Sequence, residues 1–218
     1  MKKFLSALMF VLGAMSLSNA VLAAPTAGQE FDAVTKTIPT DDPKKIEVME
    51  IFWYGCSHCY QMEKPLHAWL KSMPADVSFK RMPGLPNASW APMAQTYFAM
   101  ESLGLVDKLH GKLFHAIHKQ KSLNPTDKKA ALNWLTNNSG LDRAKVEETF
   151  NSFTVSTNLK RAAQIFRSSG ATGVPSLVID GKYITSGTMA GGNVQALKVV
   201  DYIIQNIRSS KGEKPANK

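Results

Sequence analysis

Cysteine is nearly absent from this chain: two occur in 218 residues, Cys56 and Cys59, three positions apart. A disulfide-stapled fold needs bridges that close long loops, and a bridge spanning two residues stabilises very little. A zinc site built on two cysteine pairs is excluded as well, because no second pair exists. Runs of like charge are equally scarce. Lys and Arg outnumber Asp and Glu by 26 to 17, a formal net charge of +9, yet the basic clusters are pairs such as Lys44-Lys45 and Lys128-Lys129 without interleaved aromatics. That pattern describes a solvated surface and not a nucleic-acid interface. No internal repeat is evident. With 44% apolar and 20% charged residues, the chain is long enough to bury one sizeable core.

The first long apolar run, residues 4–22, follows the short basic start Met1-Lys2-Lys3. It reads as a secretory signal cleaved after Ala23, where Val21-Leu22-Ala23 offers the small groups a signal peptidase accepts. Gly13, Ser16, Ser18 and Asn19 make the run too polar for a good membrane span, and no basic stop-transfer cluster follows. The expected location is an exported, oxidising compartment.

Export changes what the cysteines mean. Thiols pair in such a compartment, and a pair too local to stabilise the fold is better explained by chemistry. Metal is the competing reading of C-x-x-C. It needs two further ligands, and among the histidines His115 and His118 share a helix face, but the balance favours a redox dithiol and no metal or other cofactor.

The flanking pattern supports that reading. Residues 46–53 (IEVMEIFW) alternate and then become continuously apolar, as a buried strand does, and Gly55 ends the run. Tyr60, Met62, Leu66, Trp69 and Leu70 then recur at helical spacing up to Met73-Pro74, which puts Cys56 at a helix N-terminus. Free backbone N–H groups and the positive end of the helix dipole favour a thiolate there, and His58 adds to the effect. Cys59, one turn inside, is the more enclosed sulfur. Pro65 falls within the helix and is expected to bend it.

Far along the chain, Gly173-Val174-Pro175 precedes the apolar residues 176–179, Asp180-Gly181 forms a two-residue hairpin turn, and residues 182–185 return. After Gly191-Gly192, Val194, Leu197, Val200, Ile203, Ile204 and Ile207 mark a closing amphipathic helix. Between the two regions lie four apolar stripes at helical spacing, the last formed by Val146, Phe150 and Phe153.

A C-x-x-C dithiol at a strand-to-helix junction, followed much later by G-V-P, a hairpin and a final helix, resembles the thioredoxin superfamily. Within it the sequence is most similar to the DsbA-type periplasmic disulfide oxidoreductases, over residues 27–208. The resemblance implies an α/β fold of thioredoxin type with an inserted helical domain. The expected segments are a signal at 1–23, a discontinuous thioredoxin-like domain at 24–88 and 156–208, a helical insertion at 89–155 and a polar tail at 209–218. It also implies that Pro175 is cis beside the dithiol, that Val174 and Pro175 receive a substrate strand, and that a partly apolar groove lies beside the site. A buried acid behind the sulfurs falls on Glu50, with Lys80 as its candidate partner.

The implied function is donation of a Cys56–Cys59 disulfide to newly exported polypeptides through a mixed disulfide, with reoxidation by a membrane DsbB-type quinone-linked protein and with the enzyme acting as a monomer. The dipeptide between the cysteines is Ser57-His58, whereas the best-known oxidases of the family carry Pro-His. Ser57 therefore bears on oxidising strength, and the retained His58 argues against a strongly reducing poise. Competing readings are an exported reductase or isomerase, and a non-catalytic metal chaperone or peptide-binding thiol module.

Overall fold

The computed structural model of the chain describes residues 24–212. The signal read at residues 1–23 lies outside the described residues, as do residues 213–218. A five-stranded mixed sheet organises the rest, in the order β1-β5-β4-β2-β3. Strand β2 (Ile46–Phe52) is buried along its whole length, which accounts for its unbroken apolar run. On one side it pairs in parallel with β3 (Val77–Pro83), and on the other antiparallel with β4 (Ser176–Ile179). The hairpin partner β5 (Tyr183–Ser186) and the two-residue β1 (Asp32–Ala33) complete the sheet.

The hairpin turn follows from glycine chemistry. Asp180 and Gly181 both adopt left-handed backbone, with φ of 53° and 62°. Lys182 N–H closes the turn onto Ile179 O at 3.0 Å. A Cβ on Gly181 would collide with the Ile38 carbonyl oxygen, so glycine is required by both conformation and space.

Alternation along β2 divides the core into two layers. Ile46 and Val48 face α1 (Ser57–Lys71) and α8 (Asn193–Lys211), packing against Met62, Leu66, Val200 and Ile204. Met49 and Ile51 face the helical insertion. That insertion comprises a 3-10 turn (Ala88–Trp90), α2 (Ala91–Ser102), α3 (Val106–His118), α4 (Lys128–Ser139), α5 (Arg143–Phe150) and α6 (Phe153–Ser169), while the short α7 (Gly187–Ala190) leads into α8. In α2 every residue from Pro92 to Met100 is buried, so the stripe visible in its sequence understates a helix enclosed all round.

One helical stripe is corrected. Val146, Phe150 and Phe153 do not share a helix: the chain breaks at Asn151-Ser152, where the Ser152 hydroxyl accepts the Val155 N–H and caps α6. Phe153 thereby falls in the first turn of α6 and is 84% exposed instead of joining the core. Because α6 runs unbroken to Ser169, the domain boundary expected between residues 155 and 156 falls inside it. Helix α8 continues through Lys211, past the start of the tail expected at 209.

Candidate active site

Helix α1 begins where Gly55 releases the chain from β2. Cys56 is its N-cap residue, with extended backbone, and Tyr60 N–H bonds to Cys56 O at 3.1 Å. Cys56 spends its own N–H on Trp53 O, at 3.0 Å, so the amides of Ser57, His58 and Cys59 remain the open end of the helix. None closes a full capping hydrogen bond onto Sγ, but the His58 and Cys59 amides face the sulfur and lower its proton affinity.

The two sulfurs live in opposite environments. Cys56 is part-exposed, whereas Cys59 is wholly buried. The Cys59 thiol donating to Cys56, with the backbone amides and His58 in support, overcomes burial and lowers the Cys56 thiol from 9.0 to about 6. Burial, and then the neighbouring Cys56 sulfur, push the Cys59 thiol well above the usual range. Ser57 and His58 are both exposed. The side-chain amide of Asn193, from the start of α8, donates to His58 O at 3.1 Å and ties the dipeptide to the closing helix.

Val174 and Pro175 arrive from the loop before β4, and the peptide bond between them is cis. Cys56 Sγ meets Val174 O at 3.3 Å. A thiol donates to that carbonyl, but a thiolate has no proton to give and is drawn instead toward the helix amides. An open groove of ≈ 1490 Å³ adjoins the pair, lined by His58 and Pro65 of α1, by Val174 and Pro175, and by Met189 and Val194. It is bounded by the thioredoxin-like part of the chain, and none of the residues of the insertion expected at 89–155 lines it.

Behind the dithiol the structure corrects one pairing. Register sets Glu50 beside Arg81 and Met49 beside Lys80, and consecutive strand residues point to opposite faces. Lys80 therefore turns away from Glu50, and its Nζ lies 2.9 Å from both Glu47 Oε1 and Asp41 Oδ2. Arg81 holds the place expected for Lys80, with Nε 3.2 Å from Glu50 Oε2. The pair is close but misaligned, so it is a charge contact and not a directed hydrogen bond. Burial raises the Glu50 carboxyl from 4.5 to about 8 despite the opposing pull of Arg81. Its negative charge, once formed, raises Cys59 further.

Arg81, Glu63, His110 and Tyr54 extend this cluster beyond the residues singled out from sequence. Arg81 NH2 lies 3.4 Å from Glu63 Oε1, and His110 Nε2 reaches the same oxygen at 3.2 Å. Glu63 sits four residues after Cys59 on the same helix face, a signal readable from spacing. His110 lies on α3 and had no local signal. The metal reading of the α3 histidines finds no support in their placement. His118 turns inward, bonding Tyr54 O at 2.7 Å and stacking on Tyr60, while His115 faces out. No group of three or more His, Cys, Asp or Glu suited to a metal ion occurs among the described residues.

Residues 47–203 match the family model for the DSBA-like thioredoxin domain. The thiol:disulfide interchange protein DsbA of Pseudomonas aeruginosa is 37% identical over 185 residues, covering 85% of this chain and 87% of that protein. The Burkholderia cepacia protein of the same name is 34% identical over 213 residues, covering 97% and 100%. The crystal structure of P. aeruginosa DsbA superposes with a TM-score of 0.79 at 35% identity, covering 87% of this chain and 97% of that one. The oxidoreductase DsbA of Xylella fastidiosa gives the same TM-score at 26% identity, with 86% and 100% covered.

Proposed function

The chain belongs to the DsbA-like thioredoxin family and is a thiol:disulfide oxidoreductase; from that premise we propose how its residues divide the work of donating a disulfide. The observation that carries the proposal is the contrast between two sulfurs one helical turn apart, one exposed and stabilised as an anion, the other enclosed and holding its proton.

The cycle starts from the Cys56–Cys59 disulfide. A substrate thiolate attacks Cys56 Sγ, the sulfur it can reach; the new S–S bond forms as the Cys56–Cys59 bond breaks, and Cys59 leaves with the electron pair. Cys59 then takes a proton, for which Glu50, a buried acid that acts electrostatically on Cys59, has a suitable proton affinity. A second substrate thiolate attacks the substrate sulfur of the mixed disulfide and expels Cys56 as a thiolate. The substrate has lost two electrons, and the enzyme holds them as one anion and one thiol. The stability of that anion is what makes the disulfide a good donor, the relation that DsbA exemplifies.

In this reading His58 and Ser57 tune Cys56, Val174 and Pro175 present backbone to the substrate beside it, and the adjacent groove accepts extended polypeptide. Lys80 holds the Asp41 and Glu47 carboxylates at the rear of the sheet and takes no part in the chemistry. The protein acts as a monomer in the periplasm on reduced exported polypeptides and is reoxidised by a membrane DsbB-type partner.

Equilibration of the dithiol with glutathione buffers tests the donor role. An oxidising potential, far above that of thioredoxin, is expected. A potential close to thioredoxin's would make the protein a reductase. Cys59→Ser should accumulate mixed disulfides with a disulfide-containing model substrate, Cys56 attacking its S–S bond and expelling the other substrate sulfur as a thiolate, and Cys56→Ser should form none.

A further inference from the structure

His110 is a buried, titratable side chain that disulfide exchange does not itself require. It comes from α3, in the helical insertion, and is 5% exposed. The rings of Phe52, Tyr97 and Phe114 pack against it nearly at right angles. Its two nitrogens meet different partners. Tyr54 Oη lies 2.6 Å from Nδ1, and Glu63 Oε1 lies 3.2 Å from Nε2.

These contacts settle the tautomer. Arg81 and His110 hold the Glu63 carboxyl below its ordinary range despite burial, so it is an anion at neutrality. An anion facing Nε2 requires a proton on that nitrogen. Burial disfavours the doubly protonated ring, so Nδ1 is bare and accepts the Tyr54 hydroxyl, which burial keeps protonated. His110 is thus a neutral ring whose Nε2–H faces Glu63 in a close but misaligned contact.

We propose that His110 is a positioning residue of the redox centre: by holding the Glu63 carboxylate from the insertion side, it leaves the Arg81 guanidinium free to face Glu50. Glu63 and Glu50 compete for one cation. Arg81 approaches Glu50 through Nε in a misaligned contact and reaches Glu63 through Nη2 in a long hydrogen bond of 3.4 Å. With His110 supplying a second donor, Glu63 does not need the whole guanidinium. Without it, Glu63 draws Arg81 away and Glu50 loses the charge that moderates its proton affinity.

Other charged or titratable groups around this cluster are accounted for. Cys59 of α1 lies near Glu50, Tyr97 of α2 is raised by burial and by the charges of Glu101 and Glu50, and Asp107 of α3 acts weakly on His110. The inference rests on Glu50 being the acid that serves Cys59, so its test reads Glu50 directly.

The experiment follows the infrared carbonyl band of protonated Glu50 in the reduced full chain against pH, the band being identified by its loss in Glu50→Gln. His110→Asn keeps an acceptor for Tyr54 but cannot reach Glu63, and the midpoint should rise by about one pH unit. His110→Gln keeps a donor at the Nε2 position and should return the midpoint to within about 0.3 units of the parent. Glu63→Gln removes the competitor, and the midpoint should fall. An unmoved midpoint in His110→Asn, an equal rise in His110→Gln, or no fall in Glu63→Gln would overturn the proposal. If Glu50→Gln leaves the pH profile of mixed-disulfide formation unchanged, the assignment of Glu50 to Cys59 fails instead, and the band still reports whether His110 acts on Arg81.

Discussion

Glu50 and Arg81 sit side by side on adjacent parallel strands, their charged groups 3.2 Å apart, and the carboxyl still holds its proton until about pH 8. The cation is at hand, but burial of Glu50 outweighs it. A misaligned contact recovers less than desolvation costs, and Arg81 also serves Glu63.

A stability cost follows for the folded state. Unfolded, Glu50 ionises near 4.5; folded, near 8, so folding retains a proton and loses stability as pH rises between those values. Glu50→Gln removes that cost. Relative to the parent, the variant should gain stability from about pH 4.5 upward, reaching on the order of 1–3 kcal/mol at neutrality, and gain nothing in acid. Urea unfolding of the reduced proteins at pH 4 and pH 7.5 measures the difference, and a gain independent of pH would contradict it.

The reduction potential should carry the signature of Cys56. Below pH 6 reduction takes up two protons with two electrons; above it Cys56 stays ionised and one proton suffices. The potential should therefore fall by about 59 mV per pH unit in acid and about 30 mV per unit above pH 6. Sign and window agree with linkage: a thiol with a depressed pKa stabilises the reduced fold above that pKa, and the advantage disappears as pH drops through 6. Potentials between pH 5 and 8 locate the break.

Cys59 stands ahead of His58 among the influences on Cys56. Cys59→Ala should raise the pH midpoint of Cys56 alkylation by about one unit or more, while His58→Ala should raise it by less and make the protein less oxidising. A larger shift in the histidine variant would reverse the assigned order.

Gly181→Ala places a methyl group against Ile38 O in left-handed backbone. The turn must open, displacing the strand that follows Pro175. A loss on the order of 2 kcal/mol or more in chemical denaturation is expected, whereas Gly111→Ala, on an open helix surface, should be neutral or stabilising.

What the sequence disclosed was local. The strand at residues 46–53, Cys56 at the helix start and the Asp180-Gly181 turn all follow from spacing and from what glycine and cysteine can do. The error at Lys80 arose because two basic residues stand together on β3, and only strand register says which shares a face with Glu50. Phe153 was misplaced because its spacing from Phe150 fits a helix that the Ser152 cap interrupts. His110 was unreadable for a different reason: it meets Glu63 through the folding of the insertion against α1, a contact that periodicity does not encode.

Full enclosure of Cys59 fixes the route out as well as the route in. For a client that never offers a second thiol, the way back runs through Cys59: its thiolate attacks Cys56, re-forms the Cys56–Cys59 bond and expels the client sulfur as a thiolate. Release then depends on the hidden sulfur turning back to reclaim its neighbour, so its proton acts as a timer. Slow deprotonation grants the client time to find its own partner cysteine, and eventual deprotonation returns an unproductive client to solution still reduced.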